Sequence, residues 1–311
     1  MNPLEQTLKD YLRIRRSLGF LLREPASCLR NFVAFLQAHR ASYITTELAL
    51  RWAIQPTKAQ PSTWAWRLSM VRRFALWLSA FEPRTEIPPA GLLPHRYRRK
   101  LPHIYGDEEI ERLLRRTRQL PSPKGLRART YTTLFGLLVA TGMRVNEALG
   151  LDRPDVDLER GILYIRRTKF GKSRYVPVHP STVDALKQYA QARDRIFPAS
   201  VTPAFFISER GRRITEWMAR YTFAKLSQRL GLRLPAKGHG HGPRLHDMRH
   251  RFAARTLVHW YRAGLDVERE LPKLATYLGH VHVNDTYWYL EAVPELLQLA
   301  TDRLIEGKVQ Q

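Results

Sequence analysis

Residues 246–250, His-Asp-Met-Arg-His, open a stretch whose spacing favours an amphipathic helix. Residues three apart on a helix share a face, so His246 and Arg249 point in the same direction. Phe252 and Leu257 supply an apolar side that can pack into a core. A lone His-x-x-Arg pair is common on solvated helices, so its significance depends on the residues that the fold brings beside it.

A second polar position lies in residues 141–149, Thr-Gly-Met-Arg-Val-Asn-Glu-Ala-Leu, after a buried helix predicted near 131–140. The Thr-Gly pair ends that helix, and Arg144 begins the next one, with Glu147 one turn further on and able to orient it. A guanidinium is a planar fork that can hold two phosphate oxygens, and it stays charged at any working pH. An arginine at a helix start is usually a surface residue, but this frame together with Arg249 indicates a phosphate site.

Three further residues complete the candidate site. Strand-like alternation at 162–166 and 174–178 predicts a β-hairpin, and Lys169 lies in its turn. His280 closes a Leu-Gly-His sequence, which suggests a helix end directed at an anion. Tyr289 follows nine residues later within Thr-Tyr-Trp-Tyr-Leu, which alone could equally be an aromatic core stripe.

These six residues occur in a recognisable order, and they are Arg144, Lys169, His246, Arg249, His280 and Tyr289. The set resembles that of the tyrosine recombinases, also called the phage integrase family, and the resemblance extends over essentially the whole chain. It implies a site-specific recombinase that cleaves and rejoins duplex DNA through a covalent 3′-phosphotyrosyl intermediate. Each phosphodiester is conserved as a phosphotyrosine, so the resemblance implies no cofactor, metal or ATP. The sequence of 286–297 is similar to integrases borne on transposons and plasmids, which implies integration or excision of a mobile element.

The resemblance also assigns a role to each residue that would meet the phosphate. Arg144 and Arg249 would hold the scissile phosphate and neutralise its growing charge. His280 would donate a hydrogen bond to it. His246 would bond the same phosphate or act as the base for the tyrosine.

The proton donor and the nucleophile follow from the same resemblance. Lys169 would protonate the leaving 5′ oxygen, and counting back from 176–177, Val-Pro, selects it, with Lys172 left as the alternative. Tyr289 would be the nucleophile, because the spacing after Leu-Gly-His selects it over Tyr287. Two residues apart on a helix differ by about 200° in direction, so only one of the two tyrosines can face the phosphate.

The charge of the chain indicates a polyanionic partner. The 311 residues include 52 Lys and Arg against 28 Asp and Glu, for a formal charge of +24. Nucleic acid is the first candidate, with a solvated basic surface or a membrane surface as the alternative. Residues 1–100 carry 17 basic and 6 acidic side chains, and residues 101–311 carry 35 and 22. Both parts are basic, which favours a protein that holds duplex DNA from two sides.

The sequence offers little for metal or disulfide chemistry. Cys28 is the single cysteine, which excludes an internal disulfide and a cysteine-based zinc site. The segment 238–243, Gly-His-Gly-His-Gly-Pro, could supply ligands together with His246 and His250, but no cysteine or clear carboxylate completes the set. A flexible loop is the favoured interpretation, and we predict neither a metal site nor a cofactor.

We predict a mainly α-helical protein with a small antiparallel β-sheet in its catalytic domain. Apolar stripes at helical spacing predict a helical bundle over 1–82, to which the resemblance assigns the role of a core-binding, SAM-like DNA-binding domain. Five prolines and a basic run mark a linker over 83–103. The integrase-type catalytic domain then covers 104–311, with a C-terminal helix at 294–306.

Two helical faces are predicted to make contacts. Arg67, Arg72 and Arg73 share the outer face of the helix that follows Pro61, and we predict that they contact DNA phosphates. The apolar stripe of 296–304 needs a cover, because so short a helix is marginal alone. The resemblance implies that this stripe packs on a neighbouring subunit, and packing on its own domain is the alternative.

The resemblance implies three kinds of partner: double-stranded DNA, a homotetramer on two DNA sites, and accessory recombinases or DNA-bending proteins. No signal-peptide pattern opens the chain, and no apolar run approaches the about 20 residues of a membrane span. We therefore expect a cytoplasmic, nucleoid-associated protein without membrane contact. A type IB topoisomerase, which uses the same chemistry without exchanging partners, and a non-catalytic DNA-binding protein stay open as alternatives.

Overall fold

The computed structural model describes residues 3–94, 101–166, 173–198, 202–234, 242–280, 282–291, 295–299 and 301. The chain divides into two compact units, 1–100 and 101–311. The division falls inside the predicted linker. The DNA-binding role of the first unit stays a prediction.

The first unit is a helical bundle. Its helices are α1 (Pro3–Ser17), α2 (Arg23–Ala38), α3 (Thr46–Ile54) and α4 (Pro61–Leu78). Thr45 begins α3 by accepting a hydrogen bond from the Leu48 amide at 3.2 Å, which satisfies one of the free donors of the first turn. The apolar stripes of the four helices meet in one core around Phe32, Trp52 and Phe74.

Arg67 packs its guanidinium against the edge of that core. Its guanidinium lies 3.7 Å from the centroid of the Trp52 ring and donates to the Trp52 carbonyl at 2.8 Å. Burial lowers the pKa of Arg67. These contacts direct the guanidinium of Arg67 onto α3, which the sequence pattern did not indicate. Arg67 and Arg72 are half-buried and Arg73 is exposed, and for all three the phosphate contact stays a prediction.

Among the described residues, the second unit has eight α-helices, one 3-10 helix (Arg153–Asp155) and a small sheet. The helices are α5 (Asp107–Arg118), α6 (Leu126–Thr141), α7 (Val145–Gly150), α8 (Pro180–Ile196), α9 (Glu216–Arg229), α10 (Asp247–Arg262), α11 (Val267–Leu278) and α12 (Asn284–Glu291). The strands are β1 (Val156–Asp157), β2 (Ile162–Ile165) and β3 (Arg174–Pro177), antiparallel and in the order β1-β2-β3. The predicted mainly α class with a small antiparallel sheet is confirmed.

Two clusters of buried residues hold the second unit together. The larger surrounds α6 and includes Leu134, Phe135 and Met248. The smaller joins α10, α11 and α12 and includes Leu257 and Tyr289. The candidate site lies where these two clusters adjoin, because α10 contributes to both. Within the described ranges, no helix is long and apolar enough to cross a membrane.

The described part of the C-terminal segment packs on its own unit. Residues 295–299 and 301 are helical. Leu296 is only 1% exposed and joins the smaller cluster, and Glu295 accepts a hydrogen bond from Arg262 at 2.7 Å. Leu297 of the same stripe is 52% exposed, and its cover by a neighbouring subunit stays a prediction. Residues 294, 300 and 302–306 of the predicted helix lie outside the described residues.

We predict that replacing two arginines of α4 affects different properties, stability for Arg67 and DNA binding for Arg73. Replacing Arg67 with Ala removes a backbone hydrogen bond and a cation–π contact, so the free energy of unfolding should fall by about 1–2 kcal/mol. Arg73→Ala should change stability by less than about 0.5 kcal/mol and lower the salt dependence of DNA binding by about one phosphate contact. Urea unfolding and binding titrations at several salt concentrations measure both. Equal stability losses would contradict the assignment.

Candidate active site

The turn between α6 and α7 fixes the backbone of the first candidate arginine. Gly142 ends α6 with φ 61°, and Arg144 forms the N-cap of α7. The Arg144 amide donates to Glu147 Oε2 at 2.9 Å. A Cβ atom on Gly142 would lie 2.6 Å from Cδ1 of Phe252, so the close approach of α10 requires glycine there as much as the left-handed conformation does.

The side chain of Arg144 is held on two sides and open on another. Its Nη1 donates to Glu147 Oε1 at 2.9 Å, and Nη1 and Nη2 lie 3.3 and 3.2 Å from the Gly279 carbonyl. The side chain remains 28% exposed. Arg144 is thus oriented by the protein while keeping an accessible face for an anion.

Arg249 is buried beside the candidate nucleophile. Its Nη1 donates to the Gly142 carbonyl at 3.0 Å and its Nη2 to the Leu278 carbonyl at 2.8 Å. Burial lowers the pKa of Arg249, and the Tyr289 side chain, which hydrogen-bonds to it, acts in the opposite direction. The guanidinium therefore links the ends of α6 and α11 to α12.

The two tyrosines of α12 point in different directions. Tyr289 is 3% exposed, whereas Tyr287 is 40% exposed. The centroid of the Tyr289 ring lies 6.0 Å from that of His280, with the rings nearly parallel, and 5.3 Å from that of His250. Tyr289 thus meets Arg249 and His280, while Tyr287 faces away from that cluster.

Both candidate histidines are disfavoured in their charged forms. His280 follows the end of α11, and its Nδ1 lies 2.7 Å from Oγ1 of the buried Thr286. His246 is the N-cap of α10 and is open to solvent on one side. Burial of His280 and partial desolvation of the exposed His246, each followed by the charge of Arg249, lower the pKa of both rings to about 4. Both histidines are therefore neutral at pH 7 in the chain without DNA.

The sequence analysis did not identify Arg174 as part of the site, and it assigned Glu147 only to Arg144, whereas Glu147 binds both arginines. Arg174 forms a bidentate pair with Glu147, at 3.0 and 2.8 Å. Burial alone would raise the pKa of Glu147, but the hydrogen bonds and charges of Arg174 and Arg144 outweigh it, so the pKa lies below its usual range. Nothing in the sequence distinguishes Arg174 from other basic residues of the hairpin. Only the folded contact between β3 and α7 does.

Five of the six predicted site residues are described, and the sixth is not. Lys169 and its alternative Lys172 lie outside the described residues, between the paired positions Ile165 and Arg174 at the ends of β2 and β3. Residues 238–241 of the His-rich segment 238–243 also lie outside them. Elsewhere in the described chain, no group of three or more His, Cys, Asp or Glu side chains could hold a metal ion.

The sequence is similar to proteins of the phage integrase family. The model of the phage integrase family matches residues 105–295. A Sinorhizobium fredii (strain NBRC 101917 / NGR234) protein named as an integrase/recombinase is 49% identical over 308 residues, which cover 98% of each chain.

Solved structures show the same fold. The Tn1549 transposon integrase, in complex with transposon right end DNA, aligns with a TM-score of 0.65 at 16% identity over 96% of this chain and 99% of that one. A lambda integrase from a tetramer bound to a Holliday junction aligns with a TM-score of 0.61 at 17% identity, over 92% of this chain and 76% of that one. At these identities the likeness is one of fold.

The lowered pKa of His246 and His280 predicts a loss of stability in mild acid. An unperturbed histidine titrates near pH 6.5, so as the pH falls towards 4 the unfolded chain binds protons before the folded chain does, and the free energy of unfolding decreases. Replacing both histidines with Gln should flatten this decrease. Urea unfolding between pH 7.5 and pH 4.5 measures it, with His259→Gln, an exposed position on α10, as the control. An equally steep decrease in the double variant would contradict the prediction.

Proposed function

The chain belongs to the phage integrase family, and on that premise we propose that it is a tyrosine-type site-specific recombinase with Tyr289 as its nucleophile. It would cleave and rejoin duplex DNA through a 3′-phosphotyrosyl intermediate and serve the integration or excision of a mobile element. The observation that supports this most is the contact of the buried Tyr289 with Arg249, in a cluster completed by Arg144 and His280.

The proposed cleavage step uses each residue of the cluster. The hydroxyl oxygen of Tyr289 attacks the scissile phosphorus, the O–P bond forms and the bond to the 5′ oxygen breaks. His246, neutral before DNA binds, accepts the hydroxyl proton, and Lys169 gives a proton to the leaving oxygen. Rejoining is the reverse reaction with a 5′ hydroxyl as the attacking group. Neither a metal nor ATP is needed, because the phosphotyrosine retains the phosphoester bond.

Electrostatic preorganisation accounts for the rate in this proposal. Arg144 and Arg249 are fixed by protein carbonyls before DNA arrives, so little reorganisation accompanies the growth of negative charge on the phosphate. The phosphate in turn would favour protonation of His246 and strengthen its action as a base. His280 would donate to a non-bridging oxygen from the side of the ring that is turned away from Thr286.

The proposed partners are duplex DNA and further copies of this chain. The positive charge of both units supports a grip on DNA by each of them. Exchange of strands between two sites requires four active sites, which supports a homotetramer, with accessory recombinases or DNA-bending proteins as further partners. A two-site exchange assay separates this function from that of a type IB topoisomerase, which would relax supercoils without exchanging DNA ends.

Tyr289→Phe should abolish covalent complex formation while DNA binding persists. The full chain is incubated in EDTA with genomic DNA of the organism that carries the gene, and the protein-linked ends are sequenced to map the cleaved phosphate. A nicked duplex carrying that site should then trap a slowly migrating complex with the wild-type chain, and Tyr287→Phe is the matched control. Trapping through Tyr287, or loss of activity on chelation, would contradict the proposal.

Lys169→Ala should slow cleavage of ordinary DNA by about 10²–10⁴-fold, the usual contribution of a general acid. A 5′-bridging phosphorothiolate places sulfur at the leaving position, and a thiolate leaves without a proton. The rate of Lys169→Ala on that substrate should therefore approach that of the wild-type chain. If Lys172→Ala shows this rescue and Lys169→Ala does not, Lys172 is the acid.

A further inference from the structure

Arg174 reaches into the site from β3 without being one of the residues that would hold DNA. Its Nη1 and Nη2 lie 3.0 and 2.8 Å from the two carboxylate oxygens of Glu147, and its Nε donates to the Tyr277 carbonyl at 2.9 Å. The side chain is only 11% exposed. All three of its nitrogens are thus engaged within the protein, which suits a residue that orients its neighbours.

Glu147 connects Arg174 to Arg144. One of its oxygens accepts from Nη1 of both arginines, and the other accepts from Arg174 Nη2 and from the Arg144 amide. Its side chain is 6% exposed, and a carboxylate so buried interacts strongly with its partners. Without Arg174, the whole negative charge of Glu147 would act on Arg144, drawing that fork towards the carboxylate and offsetting its charge.

The end of α11 is shaped to admit the Arg174 guanidinium. A Cβ atom on Gly279 would lie 2.7 Å from Arg174 Nη1. Gly279 also supplies the carbonyl that holds Arg144. The two guanidiniums therefore meet the same turn of backbone as well as the same carboxylate, so a displacement of one alters the surroundings of the other.

We propose that Arg174 is a positioning residue for DNA cleavage, which acts through Glu147 to keep the guanidinium of Arg144 directed at the scissile phosphate. The inference rests on the proposed function. It assigns Arg174 a part in phosphate activation and none in proton donation, although Arg174 lies five residues after Lys169 in the sequence.

A matched control exists in the same unit. Arg213 also pairs with a carboxylate, that of Asp152, and with backbone carbonyls, those of Leu149 at 2.7 Å and Leu151 at 3.3 Å. In the hydrogen bonds given above, neither Asp152 nor the carbonyls of Leu149 and Leu151 bond to a predicted site residue. Arg213 is more exposed than Arg174, at 37% against 11%, but a loss that follows from breaking any arginine–carboxylate–carbonyl network would appear in both variants. A positioning effect would appear with Arg174 alone.

The test measures the single-turnover rate of complex formation at the mapped site, on ordinary DNA and on the 5′-bridging phosphorothiolate. Arg174→Ala should lower the rate about 10²-fold, as small misplacements of reacting groups do, and by the same factor on both substrates. The rate of Arg174→Lys should lie between those of the wild-type chain and Arg174→Ala, because an ammonium keeps the charge but cannot span both carboxylate oxygens. Arg213→Ala should leave the rate unchanged.

A double-variant cycle tests the route through Glu147. With Glu147→Gln already present, the further change Arg174→Ala should cost far less than it does alone, because no carboxylate charge is left to compensate. Full additivity, or rescue of Arg174→Ala by the phosphorothiolate, would overturn the inference. If thermal unfolding shows that Arg174→Ala does not fold, Arg174→Lys against Arg213→Lys decides by the same criteria.

The outcomes separate this inference from the function on which it rests. A wild-type chain that forms no Tyr289-linked complex would overturn the proposed function and the inference with it. A wild-type chain that forms the complex, with an Arg174→Ala variant that is equally fast, would overturn the inference alone.

Discussion

The carbonyl groups at the end of α11 organise the site. Those of Tyr277, Leu278 and Gly279 accept hydrogen bonds from Arg174, Arg249 and Arg144 respectively. The last carbonyls of a helix have no partner within it, and the helix dipole makes that end negative. Three cations from β3, α10 and the start of α7 thus meet one unsatisfied helix end. The same bonds that complete α11 bring these separate elements together.

This arrangement concentrates positive charge, and the surroundings offset it only in part. Glu147 lies between Arg174 and Arg144 and supplies one negative charge. Desolvation, and after it the field that remains, lowers the pKa of His246 and His280. A bound phosphate would relieve the repulsion among the arginines. The helix end therefore accounts for the orientation of the three cations.

The parts that the sequence predicts well are those set by local chemistry. The Thr-Gly pair ends α6 as its sequence indicates, and the apolar positions that follow His246 locate α10. Arg174 and Arg67 could not be found in this way. Their partners lie far along the chain, across a β3–α11 contact and an α3–α4 contact, and an arginine that stacks on a buried ring has the same sequence pattern as one that faces solvent. The same limit applies to the cis packing of Leu296, since an apolar stripe does not specify its cover.

Two glycines explain why the site motifs have the form they do. Gly142 and Gly279 both adopt positive φ, and each offers a carbonyl to a site arginine. A Cβ atom at either position would collide with a side chain of the assembled site, that of Phe252 or that of Arg174. Glycine is therefore required by the left-handed turn and again by the close approach of a second element. The glycines of Thr-Gly-x-Arg and Leu-Gly-His thus allow α7, α10, β3 and α11 to meet at one point. The flanking arginine and histidine can act on the same group only because these elements meet there.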